Sequence, residues 1–288
     1  MDAAFALGAG INMAFVVAEA VFGIAANSVA LIADAAHNFG DVLALLLAWG
    51  AVWLTRRPPT ARRTYGWGRS SILAALVNTM VLLIGVGAIG IEAIQRLMHP
   101  EPVASGIVMA VAAAGVVVNT GTALLFMRDR HDDLNVRAQF QHLAGDAVVS
   151  VAVVLAALAI RLTGLTWLDP LVSLGVAGVI LFGTGSTLRE TLDLSLDAVP
   201  ARLTQQEVND WLAALPGVRE VHDLHIWGLS TTETALTAHL VCDQVPAERN
   251  LNELAAALHE RFRIGHTTIQ IETEMDAEVC RLRPAETV

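Results

Sequence analysis

Six apolar stretches, near residues 4–26, 29–54, 70–94, 103–127, 136–161 and 167–188, constrain this chain more than any other feature. Each is long enough to cross a bilayer as a helix, which takes roughly 20 mostly apolar residues. The 288 residues are 55% hydrophobic and 16% charged, with a mean hydropathy of +0.56. A soluble domain carries about a quarter charged residues, so this apolar surplus is too large for one soluble core. The pattern predicts a six-helix all-α membrane domain over residues 1–190, a connector over 191–200 and a small α+β domain over 201–288.

The basic residues orient the helices. All 18 are arginine. Arg56, Arg57, Arg62, Arg63 and Arg69 lie between the second and third stretches, and Arg128, Arg130 and Arg137 between the fourth and fifth. The alternate loops hold only Arg96 and Arg161 near their membrane ends. Positive loops stay inside, which places both termini in the cytoplasm of a multi-pass protein of the inner (plasma) membrane. The two cysteines, Cys242 and Cys280, form no disulfide framework and fit a reducing compartment. Residues 200–288 carry 14 acidic and 7 basic side chains. That balance excludes nucleic acid as a partner and favours cations.

Ionisable groups inside a membrane helix are costly and are functional candidates by default. The second stretch contains His37 and Asp41, and the fifth His142 and Asp146. A spacing of four puts each pair on one helix face, one turn apart. Two such pairs supply four N/O ligands, enough to close a tetrahedral site, and imidazole with carboxylate suits Zn²⁺ ahead of Co²⁺, Ni²⁺, Fe²⁺ and Cd²⁺. Asp34, one turn before His37, is a candidate to orient that imidazole or to sit at the helix start. Asn38, Asn78 and Asn119 read as interhelical hydrogen-bond groups, Glu92 with Arg96 as an i, i+4 ion pair, and Asp169-Pro170 as a helix N-cap. Asn12 and Glu19 lie two turns apart on the first helix, and His131 is expected in a solvated loop. Zinc binds neutral imidazole, so metal loading displaces protons and proton return displaces metal. Around a midplane site that competition couples metal export to proton entry.

The tail reads α-β-β-α-β: a helix over 204–215 with Thr204 and Glu207 in capping-box spacing, strands over 218–228 and 233–242, a helix near 250–263 and a strand near 266–273. That order suggests one antiparallel sheet. A four-residue turn, Leu229 to Thr232, sets His222 opposite His239. Alternation puts His225 on the other face unless a bulge intervenes. His266, Gln270 and Glu272 share a face of the last strand, Cys242 falls with the core residues of its strand, His259 reads as solvated, and Cys280 is a further candidate to complete a site.

The run Ser28 to Asp41, the His142/Asp146 pair, Tyr65-Gly66-Trp67-Gly68-Arg69, Asp169-Pro170, Val221 to Trp227 and Thr268 to Glu272 resemble the cation diffusion facilitator family over essentially the whole chain. The resemblance implies a ferredoxin-like cytoplasmic domain, a homodimer in the bilayer and proton-coupled efflux of divalent metal. It matches His222, His239 and Glu272 to positions that bind regulatory metal, with Gln270 at one such position. Histidine at 37 and 142 resembles the zinc-transporting members, although no His-rich loop separates the fourth and fifth helices. A membrane-anchored metal sensor, or an exporter preferring Co²⁺, Ni²⁺ or Cd²⁺, stays open. An enzyme is not expected: no His-Glu-x-x-His occurs, nor a general base beside an open three-ligand metal.

Overall fold

The computed structural model describes residues 3–126, 134–243 and 248–283, with side chains for 10, 13–124, 143–243, 251–274 and 276–283. His131 lies outside the described residues, as do the side chains of Asn12 and His142. Six long helices come first: α1 Ala3–Ala25, α2 Val29–Thr55, α3 Ser70–Met98, α4 Ser105–Phe126, α5 Leu134–Thr163 and α6 Leu168–Ser195. Five of them, α2 to α6, are apolar and long enough to cross a bilayer, and α1 contributes the shorter apolar run Met13–Ala25. Their outward side chains are large and apolar: Phe182 is 89% exposed and Leu162 75%. In water such a surface would aggregate; in lipid it is solvated. The chain divides into two compact units, Met1–Leu46 with Asn78–Ser186, and Leu47–Val77 with Thr187–Val288.

In the first unit α2 is the central helix. Val29 and Ala33 pack on Val86, Ile89 and Ala93 of α3 and on Val176, Ala177 and Ile180 of α6. Ala30 and Leu31 pack instead on Val108 and Ala112 of α4 and on Val153 and Ala157 of α5. Small residues on these faces let the backbones approach, as membrane helix contacts require. The α2 start is capped twice. Ser28 Oγ accepts from Leu31 N at 3.2 Å, the usual N-cap bond. Asp169, expected to cap its own helix, instead accepts from the Ser28 hydroxyl, from Val29 N at 2.7 Å and from Ala30 N at 3.4 Å. A helix start in an apolar setting has unsatisfied N–H groups and a positive dipole end, and a buried carboxylate answers both.

The second unit holds the polar tail: α7 Gln205–Ala213, β1 Val218–Gly228, β2 Thr234–Cys242, α8 Glu248–Phe262, β3 Ile264–Glu272 and α9 Glu274–Val279. Glu207 N donates to Thr204 Oγ1 at 3.3 Å, so the expected cap forms. The sheet order is β1-β2-β3, with β1 antiparallel to β2 and β3 parallel to it. The wholly antiparallel sheet expected from sequence is therefore corrected. Helix α8 carries the chain back along the sheet, and a β-α-β return of this kind leaves the strands parallel. On one face Val208 and Leu212 of α7 and Leu258 and Phe262 of α8 cover Leu224, Ile226, Leu236, Ala238, Leu240, Cys242 and Ile264. Leu212 is fully buried, so Leu212→Ala is expected to cost about 2–5 kcal/mol. Hydrogen exchange on the solubilised protein checks this, as faster exchange confined to residues 203–264.

The hairpin differs from its expected form in two linked ways. Gly228 pairs with Thr234, so the turn is five residues long. The register His222↔His239 holds, and a bulge then shifts the next pair to His225↔Thr237. Asp223 takes φ 50° at the bulge, a left-handed conformation that Asp tolerates better than most residues. One extra residue reverses the alternation. Val221, Leu224 and Ile226 face the core, which puts His222 and His225 together on the opposite face rather than on two faces.

Candidate metal centres

Two clusters of metal-ligating side chains occur among the described residues: His37, Asp41 and Asp146, and His222, His239, Glu272 and Cys280. In each, one ligand atom per residue lies within 4.8 Å of all the others.

The first cluster is built by α2 and α5. The face of α2 that carries Ala30 toward α5 carries Asp34, His37 and Asp41 one, two and three turns later. His37 Nε2 lies 3.1 Å from Asp146 Oδ1, and Asp146 is buried. Ligand atoms around a tetrahedral zinc sit about 3.3 Å apart, given metal–ligand bonds near 2.0 Å. Closing three groups from a 4.8 Å spread onto one ion needs only side-chain adjustment. Residue 142 precedes Asp146 by one turn of α5. Asp34 accepts from Ser150 Oγ at 3.1 Å, and Asn38 donates to Glu19 Oε2 at 3.0 Å. Glu92 pairs with Arg96 at 2.8 Å, and Arg96 also donates to the Asn27 carbonyl at 2.6 Å.

The second cluster lies on the sheet face away from α7 and α8. His222 and His239 are cross-strand partners with ring centroids 4.9 Å apart. Glu272 joins them: His222 Nε2 is 3.0 Å from Oε2, and His239 Nδ1 is 2.8 Å from Oε1. Gln270 pairs with His239 across β2 and β3, but its amide donates to Glu272 Oε1 at 2.8 Å and so orients that carboxylate. Cys280 Sγ reaches His239 Nδ1 at 3.7 Å. His222 Nδ1 is buried and meets no partner among the described residues. Two imidazoles, one of them with that orphaned nitrogen, a carboxylate and a thiol form a donor set that fits zinc. Burial pushes the Glu272 carboxyl up, but hydrogen bonds from His222, Cys280 and His239 outweigh it and hold the group below the ordinary glutamate value.

Two candidates stand apart. His225 shares the face but bonds Asp223 at 2.9 Å. His266, six residues from Glu272 along β3, stacks edge-on against Tyr65. A strand rises about 3.3 Å per residue, so six residues separate them by about 20 Å, too far for one ion. What sequence reasoning left loose was how Cys280 is delivered. Helix α9 begins with a capping box, Thr273 and Asp276, and Arg283 forks onto Glu220 of β1 at 2.7 and 3.1 Å and onto Glu274 at 3.2 Å. The Thr273-x-x-Asp276 spacing was the available signal for α9. Hydrogen bonding to Arg283 lowers the Glu220 carboxyl, and Arg283 itself is raised.

Comparison with known proteins gives a consistent picture. The cation efflux transmembrane domain matches residues 6–194, and the cation efflux protein cytoplasmic domain matches residues 200–274. The metal cation efflux system protein CzcD of Cupriavidus metallidurans is 36% identical over 261 residues, covering 90% of this chain and 82% of its own. The zinc transporter ZitB of Escherichia coli is 36% identical over 266 residues, covering 91% and 85%. A cadmium, cobalt and zinc/H(+)-K(+) antiporter of Bacillus subtilis is 32% identical over 265 residues, covering 90% and 85%. A solved structure of the metal-bound C-terminal domain of the CzcD transporter is 42% identical, covering 24% of this chain and 99% of its own, with a TM-score of 0.22.

Proposed function

This chain belongs to the cation efflux family, whose members are transporters and not enzymes, and we propose that it exports a divalent transition metal, Zn²⁺ first among them, in exchange for protons. His37 and Asp41 from α2 with His142 and Asp146 from α5 bind the ion as a tetrahedral His2Asp2 site. The observation that supports this best is the convergence of His37, Asp41 and Asp146 from two apolar helices onto one point. Each ligand that takes the ion must first be free of a proton, so the same atoms serve both substrates in turn. In this reading α1 is a sixth span of an inner-membrane protein, and with an even number of spans the arginine-rich loops support cytoplasmic termini.

His222, His239, Glu272 and Cys280 hold a second, resident zinc in the cytoplasmic domain, within a homodimer. When bound, that ion crosslinks β1, β2, β3 and the C-terminal segment. The protein's own residues already gather the ligands: Gln270 orients Glu272, and the Arg283 fork keeps Cys280 over the sheet.

Reconstituted vesicles test the transport reading. Zinc uptake is expected to require a pH gradient of opposite direction, and zinc addition is expected to shift the lumenal pH. Cobalt, nickel and cadmium compete in order of their fit to the site. Zinc flux indifferent to an imposed pH gradient overturns the exchange.

A further inference from the structure

We infer that Glu19 and Asp34 form a second cation site beside the transport ligands, one that takes a proton. The inference deepens the proton exchange proposed above and rests on it. Glu19 of α1 and Asp34 of α2 are both fully buried. Each has one oxygen satisfied: Asn38 Nδ2 donates to Glu19 Oε2 at 3.0 Å, and Ser150 Oγ to Asp34 Oδ2 at 3.1 Å. The remaining oxygens, Glu19 Oε1 and Asp34 Oδ1, meet no donor among the described residues. Asn38 follows Asp34 by one turn on the same face of α2, so its bond to Glu19 sets the two carboxyls side by side. Two carboxylates offer only acceptors, so any bond between them needs a proton on one. Two bare charges side by side in an apolar interior are both desolvated and mutually repelled, and one shared proton relieves both.

The surrounding charges give that proton a use. Within α2, His37 lies one turn beyond Asp34, and Asp41 one turn further. From α5 come Asp146 and Ser150, and the described part of α4 contributes no ionisable group. Arg96 and Asp169 lie at the start of α2, one to two turns before Asp34, and are engaged there with Asn27 and with Ser28 to Ala30. A divalent ion arriving at His37, Asp41 and Asp146 therefore brings positive charge to the edge of a pair that already shares a proton. The O–H bond then breaks heterolytically, its electrons stay on the carboxylate, and the proton passes to water. Reprotonation of the pair restores the neutral acid and favours release of the metal. The pair adds to the exchange a proton that the ligands do not carry.

The test uses the full chain in vesicles with Zn²⁺ as the probe. Glu19→Gln keeps the side-chain shape and an acceptor for Asn38 but cannot titrate. It is expected to bind and move zinc while the protons counted per zinc fall by about one, with the pH dependence of the rate flattening to match. Infrared difference spectra on zinc addition are expected to lose a protonated-carboxyl band in the unaltered protein and to lack that change in the variant. Asp34→Asn carries the same expectation if Glu19→Gln fails to fold. Proton counts and infrared spectra that match the unaltered protein in both variants overturn the inference while leaving the antiport intact. Loss of zinc binding in both makes the pair structural and also overturns it. Zinc movement without any proton movement in the unaltered protein removes the antiport reading, and this inference with it.

Discussion

Asp146→Ala is expected to abolish zinc-driven proton movement in vesicles while the protein still folds. Its Oδ1 stands 3.1 Å from His37 Nε2, and the residue is buried where α5 faces α2. Alanine leaves His37 and Asp41 without the α5 carboxylate, so the ion loses one of the two α5 ligands that tie the helices together. Removing a mere outer partner of a metal ligand costs 10–100-fold in affinity or activity, so loss of a ligand itself should exceed about 100-fold. Folding is expected to survive because the change also deletes a buried negative charge close to Asp34. The exposed i, i+4 pair is the control: Glu92→Gln disturbs a contact worth at most about 1 kcal/mol, and its flux is expected to match that of the unaltered protein. Flux that persists in Asp146→Ala removes this residue from the transport site.

Element types and ligand types were legible in the sequence because each rests on a local rule. Apolar length marks membrane helices, the i, i+4 spacing puts His37 and Asp41 on one face, and Thr204 with Glu207 marks the start of α7. What required coordinates depends on how distant segments meet. Asp169-Pro170 has the form of a cap for its own helix, and nothing local says that its carboxylate answers N–H groups 140 residues away at the start of α2. The pairing His222↔His239 was legible, although only because the fifth turn residue and the bulge shift the register in opposite senses. The bulge at Asp223 was not, since a single left-handed residue leaves no pattern in composition and reverses the face of every later side chain on β1. Glu19 with Asp34 is similar: each polar group was visible in its helix, but only the packing of α1 on α2 makes them a pair. The parallel β3 depended on the path of α8, which strand alternation does not encode.

Zinc is expected to stabilise the cytoplasmic domain, and Glu272→Ala is expected to erase that gain. An ion that binds only the folded form adds about 2.7 kcal/mol at a concentration 100 times its dissociation constant. Glu272 touches both imidazoles and is itself oriented by Gln270, so its loss removes one ligand and frees two others. With affinity lowered about 100-fold, the same zinc concentration adds only about 0.4 kcal/mol. Without metal the variant is already weaker by about 1–3 kcal/mol, because His222 and His239 are left buried without their shared acceptor. Comparing unfolding with and without zinc separates the two effects: a structural role moves the metal-free value, whereas a ligand role moves the increment. The pH dependence has a definite sign. The Glu272 carboxyl is held below the ordinary glutamate value, so its metal-free contribution is complete above that value and is lost as the pH falls through the lowered one. In Glu272→Ala this acid-side loss should vanish. Cys280→Ser keeps Glu272 and both imidazoles but replaces a thiolate by a weak ligand, so the zinc increment should shrink without disappearing. An undiminished increment in Glu272→Ala places the ion elsewhere.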